Sequence, residues 1–500
     1  LHIRLAMCAS LAALSACAGT VAAAPAPGDT NTVTAGSPSP SPPFHPAELK
    51  SALDGVHRAG VPGAYAEVRD GGRTWRSASG VADVTTGRPV TPDMRQRVGS
   101  ITKTFTAAAV MQQAEQGRIR LDAPIGDYLP QLVPGEQGRK ITVRMLLNNT
   151  SGIADYIRYA FPSLQTGSPQ SLDDNRFREF RPAELIALGL NAPPTGEPGG
   201  PTGVYSNTNY LLLGQLLGHV TGTPAEEYIT RNVIQRAGLR HTGFPTGTRI
   251  QGPHSRMYEA LWGLLDPPRD YSVYNMSWTG TGAALVSTTD DLNRFYRKLL
   301  DGEIVNRSSL EQMQRTVPVI ALDGSTIQYG LGLHKVDIPD CGTFWGHDGT
   351  VWGAGTISLT RADGKRQMSV AVNLQRWNAS DSSGEPQPHP IDDALKRLYG
   401  QALCGDGQAA RQQPSAAIPR RRRDGLAQPP AAGNAYASWA SPIEARFETL
   451  RPVPTTTALG PRLLPYTEAE HRDGARLGVA ERFQVDPVEA GGREADAVAQ

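Results

Sequence analysis

The order of the periodic segments between Phe44 and Cys404 constrains this chain most. Segments with strand character stand at both ends and segments with helical character fill the middle. Apolar spacing predicts a helix over Pro46–Arg58, then strands over Gly63–Arg69 and Arg73–Ala82 joined at Asp70-Gly71-Gly72, a hairpin signal. Helices are expected over Ser100–Gln116, Asn209–Thr221, Pro224–Arg236 and Thr288–Leu300. Strands return at Tyr329–Val336, Thr343–Gly346, Gly353–Arg361 and Gln367–Asn373, and a last helix is expected over Asp392–Leu403. Strands so far apart are covered only if they share a sheet. The expected class is α/β (α+β): an antiparallel sheet built from both chain ends, flanked by helices, with an inserted all-helical subdomain. Roughly 360 residues suffice for one large core in two closely joined subdomains. No internal repeat is present.

The flanks have a different composition, and 16 of the 40 Pro lie there. Residues 1–24 read as an export signal, with Arg4, an apolar run from Leu5 to Ala16 and small residues after it; the run is too short to remain as a membrane span. Two processing routes are open: Leu14-Ser15-Ala16-Cys17 is a lipobox-like string that would anchor the chain at Cys17, and Ala22-Ala23-Ala24 is an ordinary cleavage site. Residues 25–43 form a Pro/Ser-rich linker, 44–405 the folded domain, and 406–500 a low-complexity tail with a basic run at Arg420–Arg423, read as disordered. The expected location is secreted or in the cell envelope. With the signal removed, Cys341 and Cys404 remain, either as a disulfide or as two buried thiols.

The chain carries 49 basic and 48 acidic residues, a net charge of +1, so no field favours nucleic acid or an anionic membrane. Only seven of the basic residues are lysines, and Lys103 alone has a serine three positions earlier. Ser100-Ile101-Thr102-Lys103 opens a predicted helix, where a spacing of three puts hydroxyl and amine on one face. A neutral amine there activates the hydroxyl as a nucleophile. Tyr205-Ser206-Asn207 follows a Gly/Pro-rich loop, offering a phenol for proton transfer and an amide for orienting a carbonyl. His347-Asp348-Gly349-Thr350 lies between strand segments, where Gly349 permits close approach and His347 supplies a switchable charge. His241-Thr242-Gly243 offers a similar string but follows a predicted helix, so His347 is preferred. Each motif alone has a bland reading as a cap, a turn or a strand residue; their order in one chain is what carries meaning.

In that order the three motifs resemble those of the serine penicillin-recognising enzymes, the penicillin-binding proteins and serine β-lactamases, and most of all the secreted D-alanyl-D-alanine carboxypeptidases and class C-like hydrolases. Arg97-Val98-Gly99, Tyr128-Leu129-Pro130, the segment 141–147, Thr150-Ser151-Gly152 and Cys341-Gly342 resemble the same group. The resemblance implies Ser100 as acylated nucleophile, Lys103 as base or relay, Tyr205 as general acid/base and Asn207 as the residue positioning the substrate amide. His347 would replace the usual lysine, the N–H groups of Ser100 and Thr350 would form an oxyanion hole, Thr350 and Gly349 would bind substrate, and Trp278 would be a cleft wall or a core residue. No cofactor or metal is implied.

Two departures matter. Asp348 stands where the family usually has Thr, in the region that receives a substrate carboxylate. Either it points away, leaving Thr350 with Lys335 or His334 to bind that group, or the substrate has no free carboxylate. Asn149 stands where a His often precedes Thr-Ser-Gly. The leading expectation is a secreted D,D-carboxypeptidase acting on peptidoglycan stem peptides and bound by β-lactams. The alternatives are a class C-like β-lactamase, a serine esterase or D-amino-acid amidase acting on another small acyl substrate, and a penicillin-binding sensor without turnover.

Overall fold

The structure is a computed structural model that describes residues 43–381 and 387–405. The export signal with Cys17, nearly all of the linker, and the tail with Arg420–Arg423 lie outside the described residues.

The first hairpin forms as its turn chemistry requires. Strands β1 (Gly63–Asp70) and β2 (Arg73–Asp83) pair from Gly63↔Gly80 to Asp70↔Arg73, with Gly71 at φ +58. The main sheet continues with β3 (Arg88–Pro89), β4 (Gly203–Val204), β5 (Val317–Ile320), β6 (Thr326–Tyr329), β7 (His334–Ile338), β8 (Gly342–Val351), β9 (Ala354–Arg361) and β10 (Arg366–Val372). Its order is β3-β2-β1-β10-β9-β8-β7-β6-β5-β4, antiparallel except for the parallel pair β4/β5. The joint between the two chain ends is β1 against β10, in register from Ala64↔Val372 to Asp70↔Arg366.

Side chains alternate across that joint. Ala64, Ala66, Val68, Met368, Val370 and Val372 face helices α1 (Pro46–Arg58) and, near the C-terminus, Pro390–Cys404, where Leu49, Leu53, Val56, Leu395 and Leu398 complete a buried core. Removing one of these leucines to alanine should cost about 2–5 kcal/mol. On the opposite face Asn293, on the helix Thr289–Leu300, meets three of the sheet's polar residues. Asn293 donates to Glu67 Oε1 (3.1 Å) and accepts from Ser369 Oγ (2.8 Å), while its carbonyl accepts from Gln367 (2.6 Å).

Between the sheet's two parts, helices α2 (Thr102–Glu115) and α3 (Asn207–Thr221) pack through Ala107, Ala108, Met111, Leu212 and Leu216 in a second core. This middle is helix-rich but not purely helical: short strands at Gln96–Arg97, Tyr258–Glu259, Arg269–Asp270 and Val286–Ser287 form small sheets, and β4 joins the edge of the main one. The expected helix Pro224–Arg236 is an α-helix over Ala225–Ile229 continued by a π-turn over Thr230–Gln235. The expected strand Tyr329–Val336 is two strands. Gly332, at φ +73, turns the chain where an added Cβ would lie 2.5 Å from Ala107 Cβ, so helix α2 forces the break.

Cys341, just before β8, and Cys404, ending the last helix, are bonded, with Cα atoms 5.2 Å apart. Among the described residues no helix is long and apolar enough to cross a membrane.

Candidate active site

Ser100 lies in a 3₁₀ turn, Gly99–Ile101, that runs directly into α2; Thr102 Oγ1 ties the turn by donating to Gly99 O (2.7 Å). Two glycines let strand β8 press against this turn. At Gly99 (φ +54) an added Cβ would lie 2.5 Å from Thr350 N, and at Gly349 one would lie 2.5 Å from Ser100 N. The backbone N–H groups of Ser100 and Thr350 are thereby neighbours, as an oxyanion hole requires.

Lys103 is fully buried one turn along the helix. Its Nζ donates to Ser100 Oγ (3.0 Å), Asn207 Oδ1 (2.6 Å) and Gly282 O (3.1 Å), and lies 4.9 Å from the centroid of the Tyr205 ring. Burial pulls its ammonium down to about 7, against the charges of Asp155 and Asp348. A substantial neutral fraction at neutral pH makes it a competent base for Ser100. Tyr205 is brought in by the β4/β5 pairing and by its N–H donating to Ile320 O (2.9 Å). Its hydroxyl has no partner of good hydrogen-bond geometry; burial pushes the phenol well above its ordinary value, and the nearby Ser100 hydroxyl only tempers this. The phenol therefore stays protonated, able to give its proton to a leaving group.

Two residues that the motifs do not contain hold Tyr205-Ser206-Asn207 in place. Asp155 Oδ2 accepts both the N–H and the Nδ2 of Asn207 (2.7 Å each). Asn149, at φ +61, accepts from Ser206 N (3.1 Å) and Asn209 Nδ2 (3.0 Å) through Oδ1, and its carbonyl accepts from Val204 N (3.1 Å). Asn149 was legible as a departure from the family pattern. Asp155 was not, because nothing in its spacing separates it from the solvated acids around it.

His347 reaches the site differently from the expectation. It is 1% exposed, and burial drives its imidazole well below the ordinary value, so it stands neutral and supplies no positive charge. Its Nε2 meets Tyr329 Oη at 3.1 Å, and its ring lies 6.5 Å from that of Tyr205, with Tyr329 packed edge-on against both. Tyr329 is a site neighbour that the sequence read only as the start of a strand.

Asp348 does not point away. It lines the pocket that also contains Ser100, Tyr205, Thr350 and His334. Burial pushes its carboxyl up to about 7, while the exposed third of its side chain (34%) opens to the pocket. Lys335 alternates to the other side of β7 and pairs with Asp337 (2.7 Å), so it is not available for a substrate carboxylate; His334 is held neutral by burial, its imidazole pulled down to about 3. Trp278 is a core residue and does not line this pocket. It is 3% exposed and stacked on Trp352 at 4.9 Å, with Phe161 edge-on beside the pair at 5.2 Å and 5.4 Å, so its ring is enclosed in an aromatic cluster. His241 lies elsewhere, its Nδ1 3.1 Å from an Arg95 nitrogen.

A serine beside a buried amine, a protonated phenol and paired backbone N–H groups defines a serine hydrolase site for acyl transfer. The Beta-lactamase family model matches residues 50–389, and the chain belongs to that family. It is similar to Penicillin-binding protein 4* of Bacillus subtilis (strain 168), 25% identical over 367 residues that cover 66% of this chain and 77% of that protein. It is also similar to the D-aminopeptidase of Brucella anthropi, 26% identical over 328 residues, 65% of this chain and 58% of that protein, so it spans less than two thirds of that relative. Among solved structures, a D-stereospecific amidohydrolase from Streptomyces sp. matches with a TM-score of 0.62 and 34% identity, covering 73% of this chain and all of that one.

Proposed function

We propose that this chain is a serine amidohydrolase that cleaves amides of D-amino acids bearing a free α-ammonium group. The observation that carries the reading is the Asp348 carboxylate in the pocket beside Ser100, which attracts an ammonium and repels a carboxylate. The D-configuration is supported by the Streptomyces amidohydrolase and the Brucella D-aminopeptidase.

Ser100 Oγ attacks the substrate carbonyl as neutral Lys103 takes its proton. The oxyanion is held by the N–H groups of Ser100 and Thr350. Tyr205 gives its proton to the leaving nitrogen, which departs as ammonia or an amine and leaves an ester on Ser100; the Lys103 ammonium restores the phenol proton. Water, deprotonated by the same pair, then splits the ester to the free acid and the serine. Asn207, fixed by Lys103 and Asp155, orients the substrate amide.

The D,D-carboxypeptidase reading, with a peptidoglycan stem peptide as substrate and β-lactams as inhibitors, uses the same steps. It draws support from the likeness to Penicillin-binding protein 4*, but its substrate carboxylate would have to settle beside Asp348. Action outside the cytoplasm is supported by the signal-like residues 1–24 and by the Cys341–Cys404 bond.

The test compares D-phenylalanine amide, its N-acetyl derivative and an N-acyl-D-Ala-D-Ala peptide. The free amine should be favoured at least tenfold in kcat/KM over the acetylated amide, and Asp348→Asn should erase that preference. Faster cleavage of the N-acyl peptide than of D-phenylalanine amide would reject the reading in favour of the carboxypeptidase.

A further inference from the structure

Two residues lining the same pocket, His334 and Asp348, stand with the buried His347 in an arrangement that hydrolysis does not use. His334 on β7 and His347 on β8 lie with ring centroids 4.0 Å apart, and Asp348 follows on β8. The direction of hydrogen bonds behind His347 assigns its proton. Tyr210 Oη donates to Leu147 O (2.7 Å), so its oxygen is left to accept from Tyr329 Oη (3.3 Å). With its own proton so committed, Tyr329 accepts from His347 Nε2 (3.1 Å). A neutral imidazole has one N–H, and the tautomer that carries it on Nε2 offers Nδ1 as a ligand atom.

The lone pair of His347 Nδ1 then faces other acceptors. It lies in close contact with the main-chain oxygen of Asp348 and 3.7 Å from Asp348 Oδ1, and His334 Nδ1 is 3.4 Å from that same carboxylate oxygen. One nitrogen of each histidine and the carboxylate oxygen all lie within 4.8 Å of one another. The spacing suits a particular class of cation: ligands at about 2.0–2.2 Å in a tetrahedron are separated by about 3.4 Å. Two imidazoles and one carboxylate favour a borderline ion such as Zn²⁺ over Mg²⁺ or Ca²⁺, which take oxygen shells. Tyr329, bonded to the far nitrogen of His347, supplies the outer contact that orients a metal-binding histidine.

We propose that His334, His347 and Asp348 form a binding site for a divalent transition ion of the zinc type, with its open coordination position toward the substrate pocket. The ion exchanges the contact between His347 Nδ1 and the Asp348 carbonyl for coordination. It also occupies Asp348, so a bound ion and a substrate ammonium exclude one another, and the metal acts as a reversible inhibitor. The inhibitory part rests on the function proposed above; the binding part does not.

Binding is therefore measured separately from turnover. The full chain, freed of metal with EDTA, is titrated with Zn²⁺ against a chromogenic chelator and with Co²⁺ followed by its visible spectrum. The expected result is one ion per chain, a tetrahedral Co²⁺ spectrum, and affinity lowered at least tenfold in both His334→Ala and Asp348→Asn, with Ser100→Ala unchanged. Circular dichroism checks each variant, and the nearly isosteric Asp348→Asn carries the test if His334→Ala does not fold. Absence of stoichiometric binding, or wild-type affinity in folded Asp348→Asn, overturns the site. Absence of amidase activity with binding intact overturns the proposed function alone.

Discussion

Asp155→Asn gives the most discriminating test of the catalytic arrangement. The carboxylate accepts from Asn207 N and Nδ2 at one oxygen (2.7 Å each) and from Ile157 N at the other (2.8 Å). An asparagine has one acceptor oxygen and one donor nitrogen, so one of these two sets meets a donor instead. Losing a charge-assisted bond in a buried site should lower stability by about 1.5–3 kcal/mol. The electrostatic effect has the opposite sense for activity. Hydrogen bonds of 2.6 Å and 2.7 Å on either side of the Asn207 amide put the Lys103 and Asp155 charges about 7 Å apart, worth roughly 2 kcal/mol at an effective dielectric near 20. Asp155 favours the protonated amine, which has its midpoint at about 7. Only neutral Lys103 accepts the serine proton, so kcat/KM should rise with pH through about 7 in the wild type. In Asp155→Asn that rise should fall roughly one and a half pH units lower. The assay is kcat/KM on D-phenylalanine amide over about four pH units centred near 7, with thermal unfolding alongside. A limb that stays in place, or moves to higher pH, would refute Lys103 as the base under the influence of Asp155.

Ser100→Ala should lower turnover of any amide or ester by at least about 10³-fold while the fold is retained, checked by steady-state rates and circular dichroism. In Gly349→Ala the new methyl group meets Ser100 N at 2.5 Å and the Val98 carbonyl closer still; pushing β8 off the nucleophile turn should cost about 1–3 kcal/mol in denaturant unfolding and lower kcat more than it raises KM. The paired substitutions Cys341→Ser and Cys404→Ser open a link between residues 63 apart in sequence and should lower stability by up to about 4 kcal/mol.

The large pattern of the fold was readable because it rests on alternation and caps. Val68 and Glu67 point to opposite faces of one strand, and that period of two is visible before any partner is known. The Ser100–Lys103 contact was readable for a similar reason, since it is set by one turn of helix. What was hidden depends on partners distant in sequence. The turn at Gly332 looks like a continuous apolar run until Ala107 is placed against it. Trp278 could equally have been a wall or a core residue until Trp352 stacked on it and Phe161 packed beside the pair. The neutrality of His347 follows from burial, which no motif encodes.

The pairing of β1 with β10 has a consequence in time. Tyr65 waits for Ala371, and Ser100 for Thr350, so the nucleophile and half of its oxyanion hole are about 250 residues apart along the chain. A polypeptide halted before β8 carries Ser100, Lys103 and Tyr205 but lacks the strand that stabilises the developing charge. The oxyanion hole is therefore assembled only after β8 has been made and has paired beside the nucleophile turn.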